Sequence, residues 1–206
     1  KLLMLDEPLG ALDRTLRERL VVALRWILRR SQQSALYVTH DQEEAFAIAD
    51  RIVLLNAGAV EQIGEPQIIY YQPASLFVAR FLGMTNFLPG RLLAGTQGLL
   101  IDTALGRFPL AENENLHQAD AATQPGAGQQ VTVLLRPDAL RMDPSLPYQV
   151  LATLQELSFR GSYVRAIAVA HGQQIALELP FSEALPAPGA EITLGFDPAR
   201  AFHIYI

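Results

Sequence analysis

The apolar residues of this chain change their period near residue 84, and that change allows only a two-part molecule. Before it, short unbroken apolar runs alternate with stretches of helical spacing. After it, apolar and polar residues alternate with period two over Val131–Leu135, Ile175–Leu179 and Phe202–Ile206. The first pattern belongs to strands alternating with helices in an α/β layer. The second belongs to short antiparallel strands, and a small barrel or sandwich is the economical way to close them. A boundary is expected over Gly83–Thr85.

Leu2-Leu3-Met4-Leu5 reads as a strand buried on both faces, stopped by Asp6, Glu7 and Pro8. Asp13 can cap a helix whose apolar stripe is Leu16, Leu20, Ala23, Leu24, Ile27 and Leu28, with Arg17, Glu18, Arg25 and Arg29 facing away. Trp26, beside that stripe, is expected to pack. A strand is expected over Ala35–Thr39, a short helix over Gln42–Ala49, a third strand over Arg51–Leu55 and a turn at Gly58. Two helical stretches, Pro66–Tyr71 and Ser75–Leu82, end at Gly83. In the second part, glycines at 90, 95, 98, 106, 161 and 172 mark turns, and Ala111–Gln130 reads as a polar loop.

Several function classes fall away. A net charge of −5 removes the cationic field that attracts phosphate backbones, so nucleic acid is not an expected partner. Without cysteine there is no disulfide framework and no thiolate metal site. No run of eighteen apolar residues offers a membrane span, so membrane association is expected through a protein partner. His117 and His171 lack partners at metal-ligand spacing and are expected to be solvated.

The chemistry concentrates near the start. Asp6 and Glu7 stand at the carboxyl end of a strand, where open α/β sheets place ligands. Adjacent carboxylates there can divide phosphoryl-transfer work, one holding Mg²⁺ and the other orienting or deprotonating water.

The string Leu2 to Asp13, LLMLDEPLGALD, resembles the Walker B segment and D-loop of ABC ATPases, and His40-Asp41-Gln42-Glu43-Glu44-Ala45 resembles their H-loop at the expected spacing. The resemblance continues through Ala49-Asp50-Arg51-Ile52-Val53, Gly64-Glu65-Pro66 and Phe81-Leu82-Gly83 with Asn86, a run similar to importer subunits of the polyamine, iron(III) and maltose kinds. Leu135-Arg136-Pro137-Asp138 and Phe159-Arg160-Gly161 are similar to the OB-like regulatory domain called TOBE.

The resemblance implies an α/β half of a P-loop nucleotide-binding domain over residues 1–84, followed by an all-β TOBE domain over 85–206. It implies ATP and Mg²⁺ as cofactors, with Asp6 on the metal, Glu7 as general base, His40 sensing the γ-phosphate and Asp13 communicating across an ATPase dimer. The implied partners are a second ATPase subunit, membrane permease subunits and, indirectly, an extracytoplasmic solute-binding protein. The implied location is the cytoplasmic face of the membrane, and the favoured solutes are polyamines or iron(III). A non-catalytic regulatory, dimerisation or ligand-binding module is the alternative, with the aromatic C-terminus Phe202–Ile206 as a possible interface. No G-x-x-x-x-G-K-[ST] loop occurs, and the only lysine is Lys1. The sequence is therefore expected to enter such a domain midway and, by itself, neither to bind ATP tightly nor to hydrolyse it.

Overall fold

The computed structural model describes residues 2–96, 98–110, 116–117, 126–181 and 185–206. The chain divides into two compact units, Lys1–Leu82 and Gly83–Ile206.

In the first unit, β1 (Leu2–Asp6) pairs in parallel with β2 (Ser34–Val38), with Leu3 opposite Ala35 and Leu5 opposite Tyr37. Between them runs α1 (Arg14–Ser31), capped by Asp13, whose side chain accepts from the Leu16 N–H; Arg29 and Arg30 complement the helix dipole in its last turn. Gln32, at φ 50°, ends the helix in the left-handed region. α2 (Gln42–Ile48) follows β2, and Leu9, Val21 and Ile48 form a small core against which Leu12, Leu24, Leu28 and Tyr37 pack.

Three expectations change here. β1 is not buried on both faces: Leu2 and Met4 are 61% and 70% exposed, because among the described residues only one face of the β1–β2 pair is covered, the face carrying Tyr37. The packed stripe of α1 is also rotated. Val21, Leu24 and Leu28 turn inward together with Arg17 and Arg25, while Leu16, Leu20 and Ile27 are exposed. The two arginines tolerate this position because their heads find acceptors, Arg17 on Asp41 and Arg25 on the Ala47 carbonyl. Trp26 is 58% exposed, its ring covered by the Arg30 guanidinium at 5.0 Å instead of by the core.

The third strand, β3 (Ile52–Asn56), joins β4 (Ala59–Gly64) in an antiparallel hairpin of its own. Ala57 and Gly58 both take positive φ, 48° and 83°, the combination a tight two-residue hairpin turn requires. α3 (Pro66–Tyr71) and α4 (Leu76–Phe81) follow, the latter capped by Ser75. Tyr70 sets its ring edge-on to Phe46, 6.2 Å between centroids.

The second unit is all-β. A six-stranded sheet has the order β7-β6-β5-β9-β14-β8: β5 (Phe87–Gly95), β6 (Gly98–Thr103), β7 (Gly106–Pro109), β8 (Leu116–His117), β9 (Gln130–Leu135) and, at the C-terminus, β14 (Phe202–Tyr205). A four-stranded antiparallel sheet contains β10 (Tyr148–Phe159), β11 (Tyr163–Ala170), β12 (Gln173–Pro180) and β13 (Glu191–Phe196) in the order β12-β11-β10-β13. A short helix, α5 (Pro198–Ala201), precedes β14. Inward residues of both sheets form one core, in which Phe108 packs against Tyr148, Phe196 and Phe202 at centroid distances of 5.4, 5.4 and 5.2 Å.

The expected loop Ala111–Gln130 contains β8, which pairs in parallel with β14, so the His117 backbone lies in a strand; residues 111–115 and 118–125 lie outside the described residues. All four residues of β14 are buried, including His203 and Tyr205, and the strand lies inside the sheet, between β9 and β8. The aromatic C-terminus is core, not an exposed interface. Gly90, expected in a turn, lies within β5, where a Cβ would come 3.1 Å from a Val133 methyl. His171 (φ 49°) and Gly172 (φ 76°) do form the expected turn, joining β11 to β12.

Asn86 closes this unit. Buried to 3% exposure, its amide donates to the carbonyls of Leu135 (3.0 Å) and Ala176 (2.8 Å), and its oxygen accepts from the Ala176 N–H at 2.7 Å. β12 is an edge strand, so the side-chain amide takes the place of a neighbouring peptide. Asn86→Ala should leave the N–H and carbonyl of Ala176 buried without these bonds and destabilise the unit by about 2 to 3 kcal/mol. Urea denaturation followed through aromatic fluorescence measures this; an unchanged midpoint would show that the bracket contributes nothing.

Candidate functional site

Parallel pairing brings the carboxyl ends of β1 and β2 to one edge. The Glu7 N–H donates to the Val38 carbonyl at 2.9 Å, one step beyond the strand, and there the backbone turns at φ 42°, a left-handed value uncommon for a residue with a Cβ. A turn follows, with the Gly10 N–H on the Glu7 carbonyl (3.2 Å), the Leu12 N–H on the Leu9 carbonyl (3.1 Å), and Leu9 anchored in the core. This strained corner holds Glu7 at the sheet edge.

The facing loop is equally fixed. The Asp41 N–H donates to Thr39 Oγ1 (3.0 Å), and Asp41 Oδ1 accepts from the N–H groups of Glu43 (2.9 Å) and Glu44 (3.2 Å), capping α2. His40 is held between these residues, and its Nδ1 lies 2.9 Å from Glu7 Oε1. Both side chains are exposed, His40 to 77% and Glu7 to 52%.

Asp6, at the end of β1, presents an exposed carboxylate to which no described residue bonds. Asp13 is engaged by its own helix: Oδ1 accepts from the Leu16 N–H at 3.0 Å. Of the four residues singled out in the sequence, Glu7 and His40 are therefore in direct contact, Asp6 adjoins Glu7 in the chain, and Asp13 sits beyond the turn as a helix cap.

Sequence reasoning missed the support behind these residues. Glu44, buried to 3% exposure, accepts at Oε2 from Tyr37 OH (2.8 Å) and Thr39 Oγ1 (3.0 Å), while Oε1 lies 3.5 Å from Arg17 Nε. Burial and the Glu44 carboxylate push the Tyr37 hydroxyl well above its ordinary pKa, so it keeps the proton that it donates to Glu44. The available signal was the spacing Asp41-x-x-Glu44, a helix-start pattern that turns the fourth residue back toward the strand.

The site can hold an anion-bound cation, not a metal on its own. Among the described residues no three acidic or histidine side chains are close enough to cage one. The exposed Asp6 carboxylate beside Glu7 fits Mg²⁺ only where water and phosphate oxygens supply the remaining ligands.

The hydrogen bond that His40 donates to Glu7, and then the Glu7 charge, raise the His40 pKa above 6.5. The raised value means that the charge-assisted pair is fully present below the ordinary histidine range and is lost as pH rises through the folded-state value. Glu7→Gln should move the His40 imidazole titration, followed by NMR, down toward about 6.5. A titration that does not move would mean that the pair is not formed in solution.

Residues 133–204 match the TOBE domain family. The chain is 40% identical to the Fe(3+) ions import ATP-binding protein FbpC of Streptomyces coelicolor, over 97% of this chain and 52% of that protein. It is 43% identical to the spermidine/putrescine import ATP-binding protein PotA of Oleidesulfovibrio alaskensis, over 68% of this chain and 36% of that one. With the sulfate/thiosulfate import ATP-binding protein CysA 2 of Chromobacterium violaceum it shares 39% identity, over 80% of this chain and 42% of the relative. The chain thus spans at most about half the length of these relatives. Among solved structures, the cytoplasmic molybdate-binding protein ModG aligns with 58% of this chain and 94% of its own at 16% identity and a TM-score of 0.43, too distant to suggest a ligand.

Proposed function

The chain corresponds to the C-terminal part of the ATP-binding subunits of ABC importers, with a TOBE domain at residues 133–204, and on that premise we propose that its first unit supplies the water-activating and phosphate-sensing half of an ATP site. The observation that carries this reading is the 2.9 Å contact between Glu7 and His40 at the carboxyl edge of two parallel strands. Residues 1–84 then form the later half of a nucleotide-binding domain and residues 85–206 its regulatory appendage.

The roles follow from the donors and acceptors. Glu7 Oε1 is occupied by His40, which leaves Oε2 to orient the attacking water and accept its proton. His40 uses Nδ1 toward Glu7, a contact that raises its pKa; when the ring carries both protons, Nε2 is also a donor, suited to a phosphate oxygen. Asp6 would hold a magnesium ion, with water between them. Bound Mg²⁺ would neutralise charge on the phosphates. Asp13, at the start of α1, faces a second ATPase subunit across the dimer.

Phosphoryl transfer depends on positioning and electrostatics, and a phosphate loop supplies much of both. The 206 residues contain none, so that loop comes from outside them. The intact protein, peripheral on the cytoplasmic face, drives a permease that receives solute from an external binding protein. Among the described residues no helix is long and apolar enough to cross a membrane.

Iron(III) and polyamine uptake are the favoured solute classes, from the names of FbpC and PotA. CysA 2 is named for sulfate and thiosulfate, anions unlike either, so residues common to all three relatives cannot select the solute.

In the protein that carries this chain together with its phosphate loop, Glu7→Gln should preserve ATP binding and reduce hydrolysis by roughly 10²- to 10⁴-fold. Undiminished turnover would overturn the assignment. Residues 1–206 alone should show no ATP turnover above background.

A further inference from the structure

Arg17 occupies a position that the proposed chemistry does not use, yet it joins the two segments on which that chemistry would depend. Its Nη2 donates to the Leu12 carbonyl at 2.9 Å, at the end of the turn that leads from Glu7 to Asp13. Its Nη1 donates to Asp41 Oδ2 at 3.0 Å, on the residue after His40. Its Nε lies 3.5 Å from Glu44 Oε1 in α2.

Both carboxylates are divided between two duties. Asp41 gives Oδ1 to the cap of α2 and Oδ2 to Arg17. Glu44 gives Oε2 to Tyr37 and Thr39 on the β2 side and turns Oε1 toward Arg17. A single guanidinium therefore ties the Asp13 turn to the His40 loop through groups that are already rigid.

Arg17 Nε is buried and is the one such side-chain atom among the described residues without a hydrogen-bond partner. At 3.5 Å from Glu44 Oε1, the clamp is complete on two sides and short of hydrogen-bond distance on the third.

We propose that Arg17 is a positioning residue that couples the turn bearing Asp13 to the loop bearing His40, so that a displacement of one is transmitted to the other. The proposal rests on the ATPase reading above. A planar fork whose separate nitrogens reach the Leu12 carbonyl and Asp41 together is required for this; a lysine ammonium is a single point of charge on a flexible stem and does not reproduce that spread.

The test uses the full-length protein with Arg17→Lys, Asp41→Asn and the double variant, measuring ATP turnover, KM for ATP and thermal melting. Asparagine caps a helix about as well as aspartate, so Asp41→Asn removes the charge facing Arg17 while keeping the cap of α2, and it decides the question if Arg17→Lys fails to fold. Each single variant should lose roughly 10- to 100-fold in kcat with KM within about twofold of the parent and an unchanged melting temperature. The double variant should lose no more than the worse single one, since both break the same link. Parental kcat in both single variants would overturn the proposal, as would losses that merely follow a lowered melting temperature or multiply in the double variant. Glu7→Gln is measured alongside: full turnover there sinks the ATPase reading itself, whereas its loss together with intact Arg17 variants sinks only the coupling.

Discussion

The parallel pairing of β1 with β2 is the constraint on which the first unit depends. Parallel strands end at the same edge, so residues more than thirty positions apart in sequence are delivered side by side, and the Glu7 N–H on the Val38 carbonyl extends the ladder to where the chemistry begins. An antiparallel pairing would have put Glu7 and His40 at opposite ends. The left-handed backbone at Glu7 is the local cost, held in place by the bonds to Val38 and Gly10 and by Leu9 in the core.

Behind that edge, charge is satisfied by sharing. Glu44 is nearly inaccessible, and a buried carboxylate is tolerated only where it is hydrogen-bonded and paired; Tyr37 and Thr39 donate to it and the Arg17 cation faces it at 3.5 Å. The same groups fix the loop in front, because Thr39 bonds both the Glu44 side chain and the Asp41 backbone. The donors that satisfy Glu44 therefore also place the loop that carries His40.

The second unit solves a different problem. Its sheets are mostly antiparallel, one continuous core fills the space between them, and the exposed edge of β12 is closed by Asn86. Buried Arg136 pairs with partly exposed Asp138 at 2.5 and 3.1 Å where β9 leads into a short turn of 3-10 helix, within the TOBE match. Nearby Asp138 adds to burial in raising the Glu178 pKa, and Arg165 opposes both. These groups organise a fold; none of them shares the exposure of Glu7 and His40.

Residue order alone determined much of this. The change of apolar period, the Asp13 cap, the helical runs ended by Gly83 and the strand-forming alternation of the second half are local properties, each decided by neighbours within a few positions. A motif resemblance set Glu7 and His40 in one implied site; that the two side chains touch is a property of the tertiary structure. Tertiary structure decided the rest. Which stripe of α1 turns inward depended on acceptors for Arg17 and Arg25 that lie 22 to 24 residues away, and no helical pattern records them. β14 is buried along its whole length, between β9 and β8 in the sheet, although its own sequence alternates as a half-exposed strand would. A period reports which residues share a face, but what that face meets depends on parts of the chain distant in sequence.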